Sequence, residues 1–161
     1  MNEIEGKFKL NNHKDIKIKL KNFAKLENII DEDNYLFKIK NSLFRFRSSN
    51  KNYVFTYKGK NQESEFNKRT EIEFSIHPMI YNFAKNILKR SYRKVREHYQ
   101  VKNADIFLDY VFDLGYFVEI EAENEIIIQY WKNKLNIKSK SIDKQYYELV
   151  ENPNLYKQIN A

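Results

Sequence analysis

Residues 106–123 read Ile-Phe-Leu-Asp-Tyr-Val-Phe-Asp-Leu-Gly-Tyr-Phe-Val-Glu-Ile-Glu-Ala-Glu and decide the fold, because apolar and polar side chains alternate along them with a period of two. That period is typical of β-strands whose two faces meet different surroundings. The pattern predicts a strand over Ile106–Phe112, a hairpin turn at Asp113–Tyr116 and a second strand over Phe117–Glu123. The second strand carries three carboxylates on one face: Glu119, Glu121 and Glu123.

The same alternation recurs in six further segments, so the chain is rich in strands. These segments are Asn2–Leu10, Tyr35–Ile39, Leu43–Arg47, Asn52–Lys60, Lys68–Ile76 and Tyr92–Val101. Four other segments space apolar residues as a helix does and are predicted to be helices: His13–Leu26, Pro78–Lys89, Glu125–Leu135 and Ile142–Val150. An α+β fold follows, and the apolar stripe of each helix is expected to cover apolar strand faces.

The composition predicts one soluble domain over residues 1–161. An apolar content of 42%, with 16% aromatic residues, exceeds that of disordered chains and is enough for a core. The absence of cysteine excludes disulfides, thiolate metal sites and a cysteine nucleophile. No apolar run approaches the ~20 residues that span a bilayer, and no signal peptide is visible, so a cytoplasmic location is expected.

The charges on the strands are the strongest functional signal. Like charges cluster on the polar faces, as in Glu3 with Glu5 and Arg45 with Arg47, and such neighbours repel unless a ligand or counter-charge lies between them. If the helices pack outside, these faces point inward and bring together nine cations and eight carboxylates. The cations are Lys7, Lys9, Arg45, Arg47, Lys58, Lys60, Arg69, Lys94 and Arg96. The carboxylates are Glu3, Glu5, Glu71, Glu73, Asp109, Glu119, Glu121 and Glu123.

A closed antiparallel barrel of about eight strands has room for one small ligand. Guanidinium and ammonium groups contact phosphoryl oxygens, and carboxylates hold Mg²⁺ or Mn²⁺ that bridge to the same oxygens. The inward charges therefore suit a polyphosphate with divalent cations.

Seven short motifs, in order over about 120 residues, resemble the CYTH domain of the triphosphate tunnel metalloenzymes. They begin with Glu3-Ile4-Glu5-Gly6-Lys7, similar to the family's E-x-E-x-K strand. The others are Asp33-Asn34-Tyr35, Phe44-Arg45-Phe46-Arg47, Thr56-Tyr57-Lys58-Gly59, Arg69-Thr70-Glu71-Ile72-Glu73, Lys94-Val95-Arg96, and Leu108-Asp109-Tyr110-Val111 with Leu114–Glu121. The closing motif is most similar to the branch that contains class IV adenylyl cyclases and also triphosphatases.

The resemblance implies a barrel-shaped tunnel, a triphosphate substrate and Mg²⁺ or Mn²⁺ as the cofactor. The implied metal ligands are Glu3, Glu5, Asp109, Glu119 and Glu121. The implied phosphate contacts are Lys7, Arg45, Arg47, Lys58, Lys94 and Arg96, to which the polar face of its strand adds Arg69. Glu3, Glu5, Lys7 and Asp109 are the predicted catalytic residues.

Three functions remain open at this stage. The first is conversion of ATP to cyclic AMP and pyrophosphate, and the alternative is a triphosphatase acting on inorganic triphosphate, thiamine triphosphate or a nucleotide. The third, binding of single-stranded nucleic acid by a basic aromatic barrel, is disfavoured because clustered carboxylates repel phosphate. No membrane partner is expected, and either a monomer or a homodimer fits.

The remaining aromatic and histidine residues are assigned structural roles. His13 and His77 are expected to be exposed or to cap helices, whereas His98 is a candidate for the mouth of the tunnel. Trp131, Tyr146 and the rest of the chain after Glu123 are expected only to pack.

Overall fold

The computed structural model describes residues 2–60 and 66–159, with the backbone alone at 2, 3, 67–69, 90 and 159. The side chains of Glu3 and Arg69, two predicted site residues, therefore lie outside the described part of the chain. The strands are β1 (Asn2–Leu10), β2 (Lys25–Ile39), β3 (Ser42–Ser49), β4 (Asn52–Lys58), β5 (Asn67–Ser75), β6 (Arg90–Val101), β7 (Ala104–Val111) and β8 (Gly115–Ala122). The helices are α1 (Lys14–Leu20), α2 (Pro78–Ile87), α3 (Glu125–Leu135), α4 (Tyr146–Glu151) and α5 (Pro153–Ile159).

All eight strands form one strongly curled antiparallel sheet. Their order is that of a closed barrel, β1-β5-β4-β3-β2-β6-β7-β8, and β1 also pairs with β8. Among the described residues the β1–β5 seam contains four residue pairs, whereas β1 and β8 share seven. The predicted α+β class is confirmed, and the sheet is better described as strongly curled than as a uniformly closed barrel.

The helices cover the outer surface unevenly and divide the sheet into two halves. The covered half consists of β1, β6, β7 and β8, against which α3 and α4 pack while α1 packs on α3. Its outer face, with the buried residues of α1 and α3, forms the larger hydrophobic core, which includes Phe8, Ile120 and Trp131. The bare half consists of β2–β5, on which only α2 packs closely among the described helices, through β3.

Gly6 shows how closely α3 approaches the covered half. A Cβ added at Gly6 would lie 2.7 Å from Cγ2 of Ile128 on α3 and 3.0 Å from the ring of Phe8. Real Cβ atoms do not come that close to another carbon, so only glycine lets β1 and α3 pack at this separation.

Three helix and strand boundaries differ from the predictions by four residues or more. The helix predicted over His13–Leu26 ends at Leu20, and β2 begins at Lys25, ten residues before the predicted start. The register of β2 against β6 shifts between Leu26 and Asn28, and this irregularity interrupts the alternation on which the prediction depends. The last predicted helix begins at Tyr146 rather than Ile142, because the backbone N–H of Ile142 donates to the carbonyl oxygen of Lys7 on β1.

None of the described helices has the length and the apolar character needed to cross a bilayer.

Candidate functional site

A cavity of about 260 Å³ lies inside the curled sheet, and each of the eight strands contributes to its wall. We call it the central cavity. Its cationic side chains are Lys7, Arg45, Arg47, Lys58, Lys94 and Arg96. Its carboxylates are Glu5, Glu32, Glu71, Glu73, Glu119 and Glu121. Nine of the twelve residues predicted from the sequence line this wall; Asp109 does not, and the side chains of Glu3 and Arg69 are outside the described residues.

Three carboxylates of the cavity converge on one point. Oxygen atoms of Glu5, Glu119 and Glu121 all lie within 4.8 Å of one another. The antiparallel register explains this, because it places Glu5 opposite Glu121 and Lys7 opposite Glu119 on neighbouring strands. Carboxylate oxygens at this spacing are the ligands that Mg²⁺ and Mn²⁺ prefer, so the donor set fits a divalent cation.

Lys7 neutralises part of this cluster. Its Nζ lies 3.0 Å from Oε1 of Glu5 and 3.5 Å from Oε1 of Glu119. It also lies 4.6 Å from the centre of the Tyr146 ring, where a cation is attracted to the π-electrons. Lys7 is 1% exposed, so these contacts replace almost all of its hydration.

Asp109 is an anchor for cations and is not one of the three converging carboxylates. Arg96 donates to both of its oxygens, through Nε to Oδ1 and Nη2 to Oδ2, each at 2.7 Å. Lys94 Nζ donates to Oδ2 at 2.8 Å and the Tyr146 hydroxyl donates to the same atom at 3.1 Å. With no exposed surface and four donors around it, Asp109 holds the two cations of β6 in place. Its predicted role as a metal ligand stays a prediction, and the contacts observed are those of a residue that orients cations.

The cations of the bare half are paired with the carboxylates of β5. Arg45 donates to Oε1 of Glu73 at 2.8 Å, and Lys58 Nζ lies 2.6 Å from Oε2 of Glu71. Arg47 Nη2 donates to Oε2 of Glu73 at 3.2 Å. These contacts bring the paired-basic strand, the lysine strand and the Glu71–Glu73 strand together, as the polar-face argument predicted.

Several residues of the cavity wall were not predicted from the sequence, and two of them, Glu32 and Tyr146, contact its charged side chains. Glu32 is 1% exposed and lies between Lys94 Nζ, at 3.8 Å, and Arg47 Nη1, at 3.7 Å. Tyr146, assigned only a packing role, reaches into the cavity wall from the first turn of α4. The sequence carries a signal for Glu32, since it directly precedes the Asp33-Asn34-Tyr35 motif. The sequence around Tyr146 does not predict a position in the cavity, because a polar residue such as Gln145 beside an aromatic one is not specific to any site.

Surrounding charges shift the pKa values of two buried carboxylates, Glu32 and Glu119, downward. Burial opposes ionisation of Glu32, but Lys94, Arg96 and Arg47 outweigh it and lower the pKa to about 2. Burial likewise opposes ionisation of Glu119, whose pKa Arg96, Lys94 and Lys7 hold well below the usual value. Burial raises the pKa of the Tyr146 phenol, and Asp109 and Glu119 raise it further, so the phenol stays a hydrogen-bond donor.

The central cavity opens at an acidic mouth. Glu71, Glu73 and Glu121 also line a second hollow of about 630 Å³, which continues over Val101, Ala104 and Ala122 toward Asp105 and Glu123. His98, the candidate for the mouth, lies 2.6 Å from Oδ1 of Asp105 and stacks on Phe107 of the cavity wall.

The other two histidines are structural. His77 accepts a hydrogen bond from the backbone of Met79 and caps α2, as predicted. His13 occupies the N-cap position of α1, as predicted, but its side chain makes no capping hydrogen bond. The ring is buried instead of exposed, with Nε2 3.0 Å from the carbonyl oxygen of Phe117. Trp131 is buried in the core, as expected.

Comparison with solved structures finds the same fold in several organisms. The PH1012 protein of Pyrococcus horikoshii OT3 is 29% identical, with a TM-score of 0.77, and the match covers 91% of this chain and 98% of that one. A putative adenylyl cyclase of Hippeastrum, HpAC1, which is described as having a dominant triphosphatase activity, is 16% identical with a TM-score of 0.73, covering 93% and 94%. A putative adenylate cyclase of Vibrio parahaemolyticus is 16% identical with a TM-score of 0.66, covering 93% and 98%.

No curated protein matches the sequence. The CYTH domain, as a family, matches residues 1–147, which include all eight strands and the carboxylate cluster. Nine of the twelve site residues predicted from the sequence line the central cavity, and the chain belongs to the CYTH domain family.

Proposed function

We propose that this protein is a metal-dependent triphosphatase that binds its substrate in the central cavity. The observation that carries the proposal is the pairing of a three-carboxylate cluster with six cations on the wall of a 260 Å³ cavity. CYTH proteins include enzymes named as cyclases and as triphosphatases, and this arrangement of charges suits the substrate that both share.

The balance of charge favours a metal–triphosphate complex over a bare anion. Six cationic and six acidic side chains line the cavity, so the wall is formally neutral. A bare triphosphate would meet as much repulsion as attraction, whereas a triphosphate complexed with divalent cations carries little net charge. Each carboxylate then faces a metal ion and each guanidinium or ammonium faces phosphoryl oxygens.

In this proposal the carboxylates divide into two groups. Glu5, Glu119 and Glu121 hold the metal, and Glu3 joins them on the evidence of its motif alone. Asp109 and Glu32 instead orient cations, because each is buried among Lys or Arg side chains.

The cations bind the phosphates from both halves of the sheet. Arg45, Arg47 and Lys58 approach from the bare half, and Lys7, Lys94 and Arg96 from the covered half. Arg69 is assigned to this group from its motif alone. Bidentate arginines fix the orientation of the phosphoryl groups as well as supplying charge.

The proposed reaction is attack of water on the terminal phosphorus. The bond between that phosphorus and its bridging oxygen breaks, and diphosphate or the corresponding organic diphosphate leaves. The metal supplies charge neutralisation at the phosphoryl oxygens. Lys and Arg side chains stabilise the charge that builds on those oxygens in the transition state, and the enclosing walls fix the in-line geometry. No covalent intermediate is required.

Cyclisation of ATP is the second candidate, and the acidic mouth is the observation that favours it. Pockets for whole drug-sized ligands occupy about 300–1,000 Å³, so a central cavity of 260 Å³ suits the triphosphate rather than the entire nucleotide. The adjoining hollow of 630 Å³ offers room for the nucleoside. The ribose 3′-oxygen would then attack the α-phosphorus and release pyrophosphate. Hydrolysis ranks first because it needs the central cavity alone.

The decisive experiment is product identification. The purified protein is incubated with inorganic triphosphate, thiamine triphosphate, ATP or GTP, with Mg²⁺ or Mn²⁺, and the products are separated by ion-exchange chromatography. Orthophosphate from the terminal position supports hydrolysis, whereas cyclic AMP with pyrophosphate assigns cyclisation. Absence of any turnover, together with binding that EDTA does not change, would contradict both and favour a simple basic groove.

A further inference from the structure

The outer surface of the bare half is apolar and has no helix over most of it. Ring contacts run across four strands, from Phe37 on β2 through Phe44 and Phe46 on β3 to Phe55 on β4 and Phe74 on β5. Phe74 is 53% exposed and its same-face neighbour Ile72 is 51% exposed. Among the described side chains, no outward-facing position of β3, β4 or β5 is charged.

Helix α2 extends this surface instead of covering it. The periodicity of α2 predicts that Ile80, Phe83, Ala84 and Ile87 face the sheet, but the helix buries Tyr81 and Ala84. Tyr81 contacts Tyr35 and Tyr53 on the outside of β2 and β4, so α2 lies beside the aromatic strands. Its remaining apolar side chains are exposed to solvent: Met79, Ile80, Phe83 and Ile87.

A helix that is apolar on its inner side and on an outer flank normally has a partner on both. We therefore propose that this surface, formed by the outer faces of β3–β5 and the exposed flank of α2, is the interface of a homodimer. We call it the aromatic face.

The exposed apolar area approaches what a stable dimer needs. Ile72, Phe74 and the four exposed apolar residues of α2 are between 49% and 72% exposed. Together these six present on the order of 600 Å², taking about 170–200 Å² for each fully exposed large side chain. Partly exposed Phe and Tyr residues of the strands add to this. A standard interface buries about 800 Å² per partner, whereas the largest apolar patch of a monomer is about 300–600 Å².

The shape of the face favours a second copy of this chain as the occupant. Each copy offers an apolar sheet surface and, beside it, an exposed apolar helix flank. A twofold axis between these parts lets α2 of each copy pack on the strands of the other, which is the reciprocal arrangement of an isologous interface. The lack of charge also matters, because two chains of net charge +7 repel each other wherever their charged surfaces meet.

Sedimentation velocity of the full-length chain over a wide dilution series tests the proposal. The expected mass is twice 19.6 kDa. Phe83→Glu on α2 and Phe74→Glu on β5 should each weaken association by about tenfold or more, since each buries a charge in the contact. Ile126→Glu is the matched control: Ile126 is 81% exposed on α3, away from the aromatic face, and its variant should remain dimeric.

Circular dichroism and the thermal midpoint of each variant show whether it is folded, which is expected because all three positions are exposed. A single-chain mass for the parent protein at every dilution overturns the proposal. A dimer that survives both Phe variants places the interface elsewhere and also overturns it. A monomeric parent that co-sediments with phosphatidylserine vesicles, and loses this binding in Phe83→Glu, assigns the face to a membrane surface instead.

Discussion

The two halves of the sheet carry similar charged side chains but bury them to different degrees. In the covered half the side chains of Asp109 and Lys94 are 0% and 3% exposed, whereas in the bare half those of Arg47 and Glu73 are 17% and 38% exposed. A buried ion pair is costly to break, because each freed charge remains without water. An accessible pair exchanges its partner more easily. The difference suggests that the covered half supplies a fixed frame and the bare half supplies contacts that substrate can replace.

The largest expected effect is the loss of catalysis when the metal cluster loses one charge. Glu121→Gln should lower turnover on the true substrate on the order of a hundredfold or more, because an amide cannot supply the negative charge that a divalent cation needs. Its stability should hold, since Glu121 is partly exposed. Glu123→Gln, two residues further on at the exposed mouth, is the control. Equal turnover in both variants would place the metal elsewhere.

Glu119→Gln tests whether a carboxylate of the metal cluster also contributes to the stability of the covered half. From the sequence, relief of repulsion between Glu119 and Glu121 would keep or raise stability. The structure reverses this expectation, because Arg96 and Lys7 contact Glu119 directly and would lose a buried partner. We expect lost activity together with a lower thermal midpoint. An unchanged midpoint would mean that the covered half tolerates an unpaired cation.

Asp109→Asn should give the largest loss of stability. It removes the charge that binds Lys94 and Arg96, and breaking such a buried pair costs about 3–5 kcal/mol. Asp105→Asn is the control, since Asp105 pairs with His98 at the partly exposed mouth. The free energy of unfolding in urea measures both. A cost below that of the control would show that Asp109 is not an anchor of the frame.

Lys58→Ala tests the bare half. Its Nζ contacts Glu71 near the mouth, so we expect binding of inorganic triphosphate to weaken by about 1.5–3 kcal/mol, the range of a charge-assisted contact. The loss of stability should be smaller than in Asp109→Asn, because Glu71 keeps a contact with Arg45. Lys60→Ala, at an exposed position beyond the end of β4, should bind as the parent does. Isothermal titration calorimetry with Mg²⁺ present compares the two. Equal affinities would remove Lys58 from the phosphate site.

The last effect depends on pH and concerns Glu32, which lies between cations of both halves. Its folded pKa of about 2 is below the ordinary value of 4.5, so its contribution to stability is complete above 4.5 and is lost as the pH falls toward 2. The difference in unfolding free energy between the parent and Glu32→Gln should therefore narrow over that interval. A difference that stays constant with pH would show that Glu32 is not held ionised by these cations.

The polar faces could be predicted from the sequence because successive side chains of a strand point to opposite faces, so the alternation determines which residues share a face. Lys7, Arg45 and Glu119 follow directly from the period of two, and the antiparallel order brings them to one interior. Predicting those parts of the site required only the local alternation and the assumption that the helices pack outside the sheet.

The rest depended on tertiary contacts that local pattern does not contain. Asp109 shares its strand face with cavity residues, and only the positions of Lys94, Arg96 and Tyr146 distinguish an anchor from a metal ligand. Tyr146 reaches the cavity because residues before α4 pair with β1, which no motif signals. The apolar periodicity of α2 predicts that its apolar stripe faces the sheet, whereas the helix is rotated so that Tyr81 is buried.

The pairing of β1 with β8 also fixes the order in which the site can be built. Strands β2 to β5, and β6 to β8, each pair with their sequence neighbours and can form as soon as they are synthesised. β1 is made before the other strands and can pair with β5 over four residue pairs, but its longest partner is β8, so its pairing is completed only after most of the chain has emerged from the ribosome. Since Glu5 belongs to β1 and Glu119 and Glu121 to β8, a divalent cation cannot assist the early steps of folding. The cation can stabilise only the final step, in which β1 pairs with β8.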